Sequence, residues 1–320
     1  MSADLEHSYR RALAWYPRSW RERNADVMVG TLLDVAEAEH RTRPRRAELV
    51  GLAASGLSAR FGTFLEPSAR NAISTIALAT GVAYPLAYFA FQLWSPWSME
   101  HAPDSAAFGL RPVINPGLFI AAVWLIALAI ALFVPRQRGL KPTIATTIVA
   151  SIALSLVYRV PGIGNQWYGL MTTSMVLLAA LGVLVLIGTP ARGMRLAIPT
   201  AVAFAAITGG YLAAQLSIQG LYFDERYFWV TISGPLITLL GCATLAAVMF
   251  GITRRTTIAQ TIAVSIAPWI ATLLIRFLAY DPWNGLALIG IGAALVGFGA
   301  ALSAAFQHTS TVRREDFTRL

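Results

Sequence analysis

Cysteine is almost missing from this chain. Cys242 is the only one in 320 residues, so an intrachain disulfide and a thiol metal cluster are both excluded. Its place inside an apolar run reads as a small packing residue. Histidine is nearly as scarce, and His7, His40, His101 and His308 stand far apart with no ligand spacing. Lysine occurs once, at Lys141, leaving arginine to carry nearly all the positive charge. Phosphate-binding loops, H-E-x-x-H and G-x-S-x-G patterns do not occur. Catalysis therefore finds no nucleophile, base or metal set to build on. The expectation is a protein that is not an enzyme and holds no cofactor.

Charge is short overall. Charged residues make up 13% of the chain and hydrophobic residues 56%, whereas a soluble domain carries roughly 25% charged residues. From Ala72 to Phe306 there is too little polar material to cover a soluble surface. A polytopic membrane protein is the economical reading. The charge that exists is gathered at the front, where residues 1–70 hold 11 arginines and 9 acids. A head so nearly balanced is a poor clamp for nucleic acid, whose phosphates dominate such affinity. The formal net charge of +9 belongs to topology instead. The charged start also runs too long before the first apolar stretch to read as a secretory signal.

Helical periodicity organises the head, taken as residues 1–66. Leu5, Tyr9, Ala12, Leu13 and Tyr16 stripe a first helix over 3–16, which Pro17 stops. Ser19-Trp20-Arg21-Glu22 reads as a capping box opening a second helix that runs to about His40. Its apolar face is expected at Trp20, Val27, Met28, Thr31 and Val35. After Arg43-Pro44, a third stripe of Leu49, Leu52, Gly56, Leu57, Phe61 and Phe64 ends before Pro67. Three such stripes close one small core, with Trp15, Tyr16 and Trp20 inside it. The Arg41, Arg43, Arg45 and Arg46 cluster reads as a solvated face or a lipid contact.

Residues 67–306 divide into eight apolar segments: 72–94, 116–134, 142–158, 167–188, 196–216, 228–252, 256–278 and 285–306. Most approach the roughly 20 residues that a 30 Å hydrocarbon layer requires. Residues 307–320 form a tail. Residues 1–70, the connections at 135–141, 189–195 and 253–255, and the tail hold 21 of the 25 basic residues. The opposite side holds only Arg111, Arg159, Arg226 and Arg276, with Glu100, Asp104, Asp224, Glu225 and Asp281 beside them. Lys and Arg favour cytoplasmic loops, so both termini are expected in the cytoplasm of a multi-pass protein of the cell membrane. Trp94, Trp97, Trp167, Tyr168, Tyr222, Tyr227, Trp229, Tyr280 and Trp283 gather at the opposite boundary as an interfacial belt.

The fold class expected is therefore all-α, a small three-helix cytoplasmic domain followed by an eight-helix transmembrane bundle. PTIATTIVASIA (142–153) matches TTIAQTIAVSIA (256–267) at eight of twelve positions, as a parallel four-plus-four duplication would produce. Ala- and Ile-rich helices also match without common descent. The segment centres carry no Asp, Glu, Lys or His, which argues against a proton relay. Arg159 and Arg276, with Tyr158 and Tyr280 close by, are candidates for an anionic lipid or ligand. The plainer reading is that both arginines snorkel to the head-group layer.

Tyr9-Arg10-Arg11, Trp15-Tyr16-Pro17-Arg18, Trp20-Arg21-Glu22-Arg23 and Thr31-Leu32-Leu33-Asp34 carry a resemblance. Residues 4–65 resemble the HAAS domain, an all-helical signalling domain associated with helix-turn-helix regulators. Asn24-Ala25 departs from the pattern, where an aromatic or His followed by Gly is expected. Such domains commonly precede transmembrane segments in actinobacterial membrane proteins. The resemblance implies a membrane partner of PadR-like winged-helix transcription regulators. It implies a soluble protein partner on the head and no direct contact with nucleic acid.

The expected function is thus a sensor or regulator, with Arg10, Arg18, Arg21, Arg23 and Asp34 contacting the partner and the body contacting membrane lipid. The rival is a transporter or permease component, with Tyr84, Tyr211, Gln215 and Gln219 lining a path. A lipid enzyme would need a nucleophile or metal site that the sequence does not offer.

Overall fold

The computed structural model describes residues 3–45, 48–49, 51–53, 55–56, 59–60, 65–90, 116–157, 172–217 and 225–280. Among these residues the regular elements are helical and no strand occurs. The chain divides into two compact units between Pro67 and Ser68.

In the first unit, α1 (Ala3–Leu13) and α2 (Arg18–Ala38) pack together, and helical backbone recurs at 48–49, 51–53, 55–56 and 59–60. Leu5, Tyr9, Ala12, Leu13 and Tyr16 are buried against Val29, Leu33, Ala36 and Leu52. The stripe expected on α1 is the one that packs. It works because charge occupies the opposite face, leaving only one way to bury the apolar side.

Helix α2 departs from expectation in two ways. Its N-cap is Pro17, whose side chain makes no capping bond, so the Ser19–Glu22 capping box does not form. The Pro17 carbonyl instead accepts from the Trp20 and Arg21 amides, and Glu22 pairs with Arg18. The buried face is Val29, Leu33 and Ala36, while Val27 is 74% exposed and Val35 and Thr31 face outward. Apolar residues surround this helix, so its sequence alone does not choose a face. Trp15, expected inside, is 50% exposed in the turn between the helices. Tyr16 is buried and stacks on the partly buried Trp20 with ring centroids 4.0 Å apart. Leu57, Phe61 and Phe64 lie outside the described residues.

The second unit is built from α3 (Pro67–Tyr88), α4 (Pro116–Phe133), α5 (Leu140–Val157), α6 (Thr172–Ile187), α7 (Met194–Ser217), α8 (Glu225–Ile252) and α9 (Thr256–Tyr280). Each of the first seven apolar segments overlaps one of these helices; the eighth lies outside the described residues. Chain neighbours pack together, α4 on α5, α5 on α6, α7 on α8 and α8 on α9, and α9 also meets α6.

Helix α3 is buried on nearly every side, from Ala69 and Ile73 to Ala87 and Tyr88. Gly81 admits the ring of the fully buried Trp124 from α4 so closely that a Cβ there would overlap it. Tyr84 shares a 2.7 Å hydrogen bond with Ser174 of α6 and meets Trp269 of α9 edge to face at 6.2 Å. Polar groups at this depth are held because each hydroxyl satisfies the other.

The outer helices are different. Leu140–Val157, Met194–Ala213 and Thr256–Arg276 are long and apolar enough to cross a membrane. They expose large apolar side chains, among them Val149, Ile152, Leu156, Ile198 and Val202. Apolar exposure on this scale marks a surface that water does not face, here that of a membrane-associated body. Cys242, expected in packing, is exposed on α8.

Candidate functional site

The exposed surface of the first unit is organised by how α2 ends. His40 takes a left-handed conformation at φ 53°, and the Arg41 amide reaches back to the Ala36 carbonyl at 2.8 Å. This is the hydrogen bond of a Schellman ending, with histidine where glycine is usual. The ending turns Arg41 into the head. Its guanidinium pairs with Glu39 at 2.6 Å and with Glu48 at 3.0 Å, leaving the side chain 14% exposed.

Glu48 gathers further donors. It accepts from the Tyr9 hydroxyl at 3.1 Å and from the Arg45 amide at 3.3 Å. The bond from Arg41 holds the Glu48 carboxyl below the usual range, aided by those from Tyr9 and Arg45 and opposed by partial burial. Burial, followed by the Glu48 bond, pushes the Tyr9 phenol up. Arg45 joins the cluster through Glu39 at 3.3 Å. Arg41 is thus drawn into the head by acids of its own unit, while Arg43 and Arg45 stay exposed as a solvated face would have them.

The five side chains expected to meet a partner have different surroundings. Arg10 is paired with Glu6 at 2.8 Å and with Asp26 of α2 at 2.9 Å, so it ties the two helices together. Those two bonds, Glu6 first, favour its charged form further. Arg18 is well exposed and pairs along its own helix with Glu22 at 2.9 Å. Arg21 is half-buried, and its Nε is shielded from solvent with no hydrogen-bond partner among the described residues. Arg23 donates to the Ser19 carbonyl at 3.0 Å and stays exposed, as does Asp34.

Helical spacing brings part of this set together. Arg23, Val27, Thr31 and Asp34 recur three or four residues apart and are all exposed, with Val35 beside them. The result is an outward face of one helix with an apolar centre and a charge of each sign at its ends. Periodicity places Val27 and Val35 in the core, yet both lie at the surface. The signal for this is the surplus of apolar positions on α2, more than one face can bury.

The second candidate set is only partly described. Tyr158 and Arg159 lie outside the described residues, as does the side chain of Tyr280. Arg276 sits half-buried near the end of α9. Tyr84 and Tyr211, assigned by the rival reading to a transport path, are fully buried in the core of the second unit. The side chains of Gln215 and Gln219 lie outside the described residues. Among the described residues no three His, Cys, Asp or Glu side chains converge as a metal site requires.

No family model, no curated protein and no solved structure matches this chain.

Proposed function

We propose that this protein is a multi-pass membrane regulator whose charge-rich first unit docks a soluble PadR-like winged-helix protein. In this reading eight helices cross the cell membrane, both termini are cytoplasmic, and the chain catalyses no reaction. The observation that carries it is the outward face of α2, with Val27 exposed between Arg23 and Asp34. A small unit gains nothing by holding valines in water, whereas a protein partner could bury them between matching charges. The resemblance of residues 4–65 to HAAS domains supports the class of partner. The distribution of arginine supports the orientation.

The transporter reading draws less support, because Tyr84 and Tyr211 belong to a packed apolar core. Co-expressing the full chain with the PadR-like regulators of its own genome tests the proposal. One of them should co-purify with the detergent-solubilised protein and be lost from the Val27→Asp variant. Retention of none, or equal retention by that variant, counts against it.

A further inference from the structure

Two connections in the second unit, at 135–139 and 188–193, are fastened to each other, and the second of them to α3. At 135–139 the chain makes a tight turn in which Arg136 and Gln137 take left-handed φ values of 54° and 49°, followed by Gly139 at 91°. Two successive non-glycine residues in this region strain the backbone. The buried Gln137 amide offsets this strain by donating to the Pro190 carbonyl at 2.9 Å. The other connection is laced to α3. Asn71 accepts from the Thr189 amide at 2.9 Å, Thr75 accepts from the Ala191 amide at 2.8 Å, and Ser74 donates to the Val185 carbonyl at 2.7 Å. Gly188 lies so close to the Arg70 carbonyl that a Cβ has no room.

This bracing leaves two adjoining grooves, of about 570 and 350 Å³, that share Thr189 and Pro190. Arg192 and Arg195 line the first, and Arg136, Arg138 and Lys141 line the second. All five are exposed, and none forms an ion pair among the described residues. No Asp or Glu occurs between Asp104 and Asp224, so the flanking sequence supplies nothing to neutralise them. Helices α5 and α7 also begin here, adding the partial positive charge of two N-termini. The larger groove continues from its arginines onto an apolar wall of Ala72, Ile76 and Pro199.

We propose that these grooves bind an anionic phospholipid, the phosphodiester between the arginines and an acyl chain against Ile76 and Pro199. A free phosphate would use only the cationic rim, whereas an amphiphile uses rim and wall together. Basic pockets between membrane helices on the cytoplasmic side suit such head groups. The inference rests on the membrane orientation proposed above but not on any regulator. Through Asn71, Ser74 and Thr75 the occupied site would brace α3, the helix the chain enters on leaving its first unit.

The test uses the full chain in nanodiscs of equimolar phosphatidylcholine and phosphatidylglycerol, with retained lipid counted by native mass spectrometry. Phosphatidylglycerol should be retained about tenfold over phosphatidylcholine. The excess should vanish in the Arg136→Gln/Arg138→Gln/Arg192→Gln/Arg195→Gln variant and persist in Arg254→Gln/Arg255→Gln. Arg192→Gln/Arg195→Gln alone should lower it several-fold if the larger variant does not fold. The proposal is overturned by no preference in the parent protein, by equal loss in the Arg254/Arg255 control, or by full displacement with millimolar inorganic phosphate. A chain that does not enter nanodiscs contradicts the membrane reading itself, a separate outcome.

Discussion

Tyr9 donates its phenolic hydrogen bond to Oε2 of Glu48 at 3.1 Å, and the same oxygen takes the Arg41 guanidinium at 3.0 Å. One carboxylate oxygen thus ties a core tyrosine of α1 to the residue that ends α2. Tyr9→Phe keeps the ring and removes only the hydroxyl. It should weaken the first unit by about 1–2 kcal/mol. Hydrogen exchange of α1 and α2 amides in the full chain should quicken roughly five- to thirtyfold.

Protonation should break the same tie. The folded Glu48 carboxyl lies below its ordinary value of 4.5, so its contribution is complete above that value and is lost as pH falls through the folded one. Tyr9 titrates above its ordinary 10.0, so its contribution is complete below that value and is lost as pH rises through the folded one. Exchange protection, corrected for intrinsic rates, should be flat near neutral pH and fall on both sides. Glu48→Gln should start lower at neutral pH and lose the acid-side fall.

His40 occupies a left-handed position that glycine takes without cost. His40→Gly should therefore slow exchange of the last turn of α2, with a gain of up to about 1 kcal/mol. His40→Val should do the reverse, because a β-branched side chain tolerates that conformation worst. Peptide-level exchange over 30–45 reads both.

In the second unit, Gly81→Ala should lower thermal stability in detergent by about 1–3 kcal/mol, since the Trp124 ring occupies the site of the new methyl. Adding Trp124→Leu should recover part of that loss by making space. A neutral Gly81→Ala would mean that the two helices separate readily.

What the sequence disclosed followed from contrast between faces. Leu5, Tyr9, Leu13 and Tyr16 were legible because Glu6, Arg10 and Arg11 oppose them on the same short helix. The face of α2 was not, because Val27, Met28, Val29, Leu32, Leu33, Val35 and Ala36 offer more than one stripe, and only the fold selects Val29, Leu33 and Ala36. The basic connections were legible as a count of charge. Their bracing was not, because Asn71 and Thr189 are 118 residues apart and neither belongs to a motif. The cap at His40 was also hidden, since composition favours glycine there.

The docking proposal is tested most directly by titrating the full chain in nanodiscs with the PadR-like regulator that co-purifies with it. Binding should weaken at least tenfold in Val27→Asp and in Arg23→Glu/Asp34→Arg, while Arg136→Gln/Arg138→Gln binds like the parent. Unchanged affinity in both head variants, or a loss confined to the Arg136/Arg138 variant, would contradict a regulator docked on the outward face of α2.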